Sequence, residues 1–78
     1  MRLNLDVAAG RDGGFEYFVL RHDQQLGAYV LSAWDLDSLK EVLEHASSKL
    51  KTKGWHQKTN WQYDLTSGEF FCLVDEPT

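Results

Sequence analysis

The stretch from Asp35 to Gly54 is the one part of the chain where apolar residues recur at helical spacing. Leu36, Leu39, Leu43, Ala46 and Leu50 follow one another at steps of three and four, so a helix places them on one face, with Val42 widening the stripe. Asp35 is the expected N-cap, with Ser32 as the competitor, because a short oxygen-bearing side chain can accept from the open amides of the first turn. Asp37 and Glu41 fall near the positive end of the helix dipole, and Lys49, Lys51 and Lys53 near the negative end. Gly54 suits the left-handed position that ends a helix. One amphipathic helix of this kind needs an apolar sheet to lie on.

The flanking sequence supplies that sheet. Arg2 to Ala8 alternates, Leu3, Leu5 and Val7 against Arg2, Asn4 and Asp6, which is the pattern of a half-buried strand. The glycine-rich run from Ala9 to Gly14 reads as a hairpin loop. Phe15 to His22 follows as a strand apolar on both faces, with Phe15, Tyr17 and Val19 opposite Phe18 and Leu20. A turn is expected over Asp23 to Gly27 and a third strand over Ala28 to Ala33. After the helix the period returns to two. Trp55 to Leu65 predicts a long polar strand, Thr66 to Gly68 a turn, and Glu69 to Asp75 a last strand with Phe70, Cys72 and Val74 opposite Phe71 and Leu73. The expected fold is α+β, a single small domain over residues 1–78 with the order β-β-β-α-β-β. Its five-stranded sheet is mainly antiparallel and carries the helix on one face.

Charge is distributed in blocks. The net formal charge is −4, yet residues 49–58 hold Lys49, Lys51, Lys53 and Lys58 with no acid. An acidic molecule with one basic island repels nucleic acid at long range. Cys72 is the one cysteine, so no intrachain disulfide forms, which fits a reducing compartment. The N-terminal residues alternate rather than form an apolar run, and no stretch is long enough to span a bilayer, so a cytoplasmic location is expected.

The chemistry-bearing residues form no recognisable catalytic constellation. His22, His45 and His56 have no neighbours at a metal-binding spacing, and Glu41 with His45 reads as a solvated pair one helical turn apart. Cys72 lies within Phe-Phe-Cys-Leu-Val, where desolvation blunts a thiol. The carboxylate pairs Asp35 with Asp37 and Glu41 with Glu44 serve capping and solubility. The glycine loop is followed by a strand, not by the helix a phosphate cradle requires. The expectation is a chain without enzymatic activity, cofactor or metal.

Two surfaces remain. The first is acidic, formed by Asp35, Asp37, Glu41 and Glu44 on the helix, facing away from its stripe together with His45, and by Asp6, Asp12, Glu16 and Asp23 near the first strands. The second is a basic and aromatic island, Lys49, Lys51, Lys53, Trp55, Lys58 and Trp61, of the composition that binds single-stranded nucleic acid. A single helix covers one face of a five-stranded sheet, so apolar groups on the other face await a partner or a second copy. In size and charge the chain resembles the small inhibitors and adaptors carried by phages and mobile elements, anti-CRISPR proteins among them. The leading expectation is an acidic protein-binding module that engages a basic or nucleic-acid-binding surface of a protein or ribonucleoprotein. Direct nucleic-acid binding through the island is the second reading, and a structural homodimer through the uncovered sheet face is the third.

Overall fold

The computed structural model describes residues 1–10, 13–21, 24–30 and 38–76 of the chain. Its elements in order are β1 (Arg2–Ala9), β2 (Phe15–Arg21), β3 (Gln24–Val30), α1 (Leu39–Thr52), β4 (His56–Gln57), β5 (Gln62–Asp64) and β6 (Glu69–Asp75). The sheet runs β3-β2-β1-β6-β4, with β5 also on β6, and every pairing is antiparallel. The first three strands are a meander, and the last strand docks on β1, the meander's first strand. Sequence periodicity alone does not fix that strand order. The strands β4 and β5 lie end to end along the far edge of β6, so the sheet is five strands wide. This is the expected α+β fold, and its order differs from the expected one in that two short strands, β4 and β5, replace the single strand after the helix.

Register fixes two faces. Leu3, Leu5 and Val7 of β1 share a face with Phe15, Tyr17 and Val19 of β2 and with Phe70, Cys72 and Val74 of β6. The helix lies on this face. Leu3, Leu5, Tyr17, Val42, Ala46, Cys72 and Val74 are fully buried between the layers, with Val19 and Leu50 nearly so. Each large apolar side chain buried there contributes about 1.5–3 kcal/mol relative to exposure. The buried helical stripe is Val42, Ala46 and Leu50, at steps of four. It is rotated from the expected one: Leu43 packs half-buried at its flank and Leu39, the first helical residue, is 41% exposed.

The helix begins three residues later than its pattern suggested. Ser38 is the N-cap, and its hydroxyl accepts from the Glu41 amide at 3.4 Å. Asp35, Leu36 and Asp37 lie outside the described residues. At the other end the expectation for Gly54 holds. Its φ is +86°, the Gly54 amide donates to Lys51 and the Trp55 amide to Leu50, both at 3.0 Å. Those paired bonds close the helix in a Schellman motif, and the Trp55 side chain that follows packs against the core.

Two strand expectations are corrected. Residues 24–27 are strand rather than turn, so β3 starts at Gln24 and not at Ala28; positions 31–33 of the expected strand lie outside the described residues. The partner of β2 jumps from Gly27 to Gln25 between Val19 and Leu20, so one extra residue, Leu26, is absorbed as a bulge. The long strand predicted after Gly54 is broken. Between β4 and β5 the Thr59 hydroxyl, not a backbone carbonyl, accepts from the Leu73 amide at 3.0 Å. Leu65, expected on that strand's apolar face, is 89% exposed in the turn to β6. Among the described residues no helix is long and apolar enough to cross a membrane.

Candidate functional site

Alternation along β1, β2 and β6 sends their other side chains to the face opposite the helix. Arg2, Asn4, Asp6 and Ala8 there stand beside Glu16, Phe18 and Leu20 on one side and Glu69, Phe71, Leu73 and Asp75 on the other. Asp64 of β5 joins this face opposite Glu69. Among the described residues no helix or strand packs over it. Phe18, Leu20 and Phe71 are half-buried by their neighbours, and Leu73 is 43% exposed.

Asp64 and Glu69 face one another directly across the strands, a placement that costs stability when both are charged. The sequence answers with Arg2 and Asn4. The Arg2 guanidinium donates to Asp64 at 2.9 Å and to the Asn4 side-chain oxygen at 3.1 Å, and the Asn4 amide donates to Glu69 at 3.0 Å. The guanidinium also lies over the Phe71 ring, 4.0 Å from its centre. Its hydrogen bond, followed by one from the Thr66 amide, holds the Asp64 carboxyl below its ordinary pKa. At the rim Lys58 pairs with Asp75 at 3.5 Å. Asp6, Glu16 and Glu69 meet no cation among the described residues, so the face keeps a net negative charge.

Of the acidic residues named from sequence, the described ones fall on two sides of the molecule, Glu41 and Glu44 on the helix and Asp6 and Glu16 on the outer face of the sheet. Asp12, Asp23, Asp35 and Asp37 lie outside the described residues. Glu41 is half-buried and Glu44 exposed, both on the helix. Glu16 is on the opposite side of the molecule, on the outer face of the sheet. His45 was expected to point away from the core and does not. Its Nδ1 shares a 2.7 Å hydrogen bond with the hydroxyl of fully buried Tyr17, and the two rings meet edge to face at 5.8 Å. Asp64, Glu69 and Asp75 also belong to the outer face, outside the acidic set expected from sequence. Glu69 and Asp75 share parity with Phe71 and Leu73, but only the strand pairings bring them and Asp64 to the face of Asp6 and Glu16.

The basic island divides by residue type. Lys51 and Lys53 are exposed at the helix C-terminus and Lys49 is half-buried there, where cations oppose the dipole. Trp55 and Trp61 pack against the core. The Trp61 indole donates to the Leu43 carbonyl at 3.1 Å and to the Ser47 hydroxyl at 2.8 Å, which locks the ring beside the helix. The rings thus serve the join between helix and sheet. An open groove of about 490 Å³ runs beside Trp61, with Leu43 as its other apolar wall and Lys40, Glu44, Gln57 and Asn60 as polar ones.

Cys72 is fully buried, and that burial pushes its thiol up to about 11. Among the described residues no group of three or more His, Cys, Asp or Glu side chains could hold a metal ion. No protein-family model, no curated protein and no solved structure matches the chain.

Proposed function

We propose that the chain is a non-enzymatic protein-binding module, an inhibitor or adaptor, that docks the outer face of its sheet on a basic surface of a partner protein. The observation that carries this reading is the composition of that face. Among the described residues Asp6, Glu16 and Glu69 have no cation partners, and they stand beside exposed Leu73 and half-buried Phe71 and Phe18. Protein-binding surfaces mix apolar and charged groups in this way, and the sign of the charge selects the partner. A basic surface that normally holds nucleic acid is the natural complement, and carboxylates in rows along strands would occupy the places of phosphates. The phage-inhibitor resemblance is compatible with this mode of action and rests on size and charge.

Of the acidic groups expected from sequence, the proposed contact uses those of the strands and not those of the helix. Its test is affinity capture from host lysate at low and high salt, with nuclease, using the wild type, Asp6→Lys with Glu16→Lys, and Glu41→Lys with Glu44→Lys. The expected result is a basic protein retained after nuclease, released by salt, and lost with the sheet variant alone. Capture that vanishes with nuclease, or that is lost with the helix variant alone, overturns the assignment.

A further inference from the structure

The two edges of the sheet are built differently. The edge formed by β4 and β5 is guarded: it is cut into strands of two and three residues, its gap is plugged by the Thr59 hydroxyl, and Lys58–Asp75 and Arg2–Asp64 ion pairs line it. Short strands and charges are the devices that stop an edge from recruiting another strand. The opposite edge is β3, Gln24-Gln-Leu-Gly-Ala-Tyr-Val30, seven residues without a charged side chain or a proline. Among the described residues no strand pairs with its outer side. The bulge at Leu26 interrupts it once and leaves Gly27 to Val30 in unbroken register with Glu16 to Val19.

We infer that the outer edge of β3 pairs antiparallel with β3 of a second copy of this chain, joining two sheets into one. The charge pattern favours self-pairing over a foreign basic strand. A basic strand would meet no carboxylate on β3, since the acidic row stops at Glu16 on β2. A second β3 meets only neutral residues, with no like charges opposed. The twofold axis of such a pair stands perpendicular to the sheet. It therefore sets both helices on one side and both acidic outer faces on the other, as one continuous surface. This inference does not depend on the proposed function.

The sign of the salt effect separates the two contacts. Each chain carries −4, so two copies repel, and salt strengthens their association while it weakens the docking of a basic partner. Sedimentation equilibrium from micromolar to millimolar chain, at low and high salt, is the test. The expected result is a species of twice the 9.0 kDa chain mass that gains population with salt. Gln25→Lys with Ala28→Lys, both at exposed positions, should raise the dimer dissociation constant by at least about tenfold with an unchanged circular dichroism spectrum. Hydrogen exchange adds a readout that needs no variant: every second amide among residues 27–30 points to the outer edge, and those amides should be protected in proportion to dimer. A wild type that stays monomeric throughout overturns the inference. So does a dimer that the lysines leave intact, or one whose formation leaves exchange at 27–30 unchanged.

Discussion

The Arg2 guanidinium lies 4.0 Å above the Phe71 ring, on the sheet face that no described element covers. The same group donates to Asp64 at 2.9 Å, so one side chain shields an aromatic ring and neutralises a carboxylate. That pairing lets an acidic, partly apolar sheet face persist without a covering layer.

Replacing Arg2 by alanine should return the Asp64 carboxyl toward its ordinary value of 3.8, because its lowered pKa rests first on the hydrogen bond from Arg2. The stability that this carboxylate contributes is present above 3.8 and is lost as pH falls through the lower folded value. Arg2→Ala should therefore lose less stability than the wild type over that acid range. Carbon-detected NMR titration of Asp64, with urea melts at several acidic pH values, checks both statements.

Fully buried Tyr17 and half-buried His45 tie β2 to the helix. Tyr17→Phe should destabilise the domain by about 1–2 kcal/mol, because a buried hydrogen bond is lost and an imidazole nitrogen loses a partner. The coupling of Tyr17→Phe with His45→Ala, read from urea midpoints in a double-mutant cycle, should be clearly nonzero.

Cys72 should resist thiol reagents in the native state and react on unfolding, since its side chain is fully buried. Its thiol ionises near 9.0 when unfolded and at about 11 when folded. Unfolding therefore releases a proton across that interval, and stability falls as pH rises through it. Cys72→Ala should flatten this alkaline decline, measured by urea melts between those pH limits, while costing some stability at neutral pH through lost packing.

Gly54→Ala should cost about 1 kcal/mol, because its φ of +86° is strained for a residue with a Cβ. Ser38→Ala should cost about 0.5–2 kcal/mol through loss of the N-cap. Thermal melts of the two variants and of their combination should give additive losses, since the residues cap opposite ends of α1.

The period of two was enough to place β1, β2 and β6, including which side chains share a face, because each has a continuous apolar row. The helix was equally legible at its C-terminus, where Gly54 has one conformational use. Its start was not: Asp35 and Ser38 are both competent caps, and propensity does not choose between them. The break between β4 and β5 was hidden because a threonine hydroxyl substitutes for a ladder partner, and alternation alone cannot register that exchange. His45 was misplaced because its sequence neighbours Glu44 and Glu41 suggested a wet face, whereas its partner Tyr17 lies 28 positions away in the chain. Asp6, Glu16, Asp64, Glu69 and Asp75 come together through strand pairings that no local pattern encodes.

The most direct measurement is the salt dependence of the dissociation constant for the captured partner, compared between wild type and Asp6→Lys with Glu16→Lys. Docking through the acidic sheet face predicts binding that weakens steadily as salt rises, and a variant that binds far more weakly with a shallower salt slope. Wild-type binding that is flat in salt, or a variant that binds as tightly as the wild type, would contradict it.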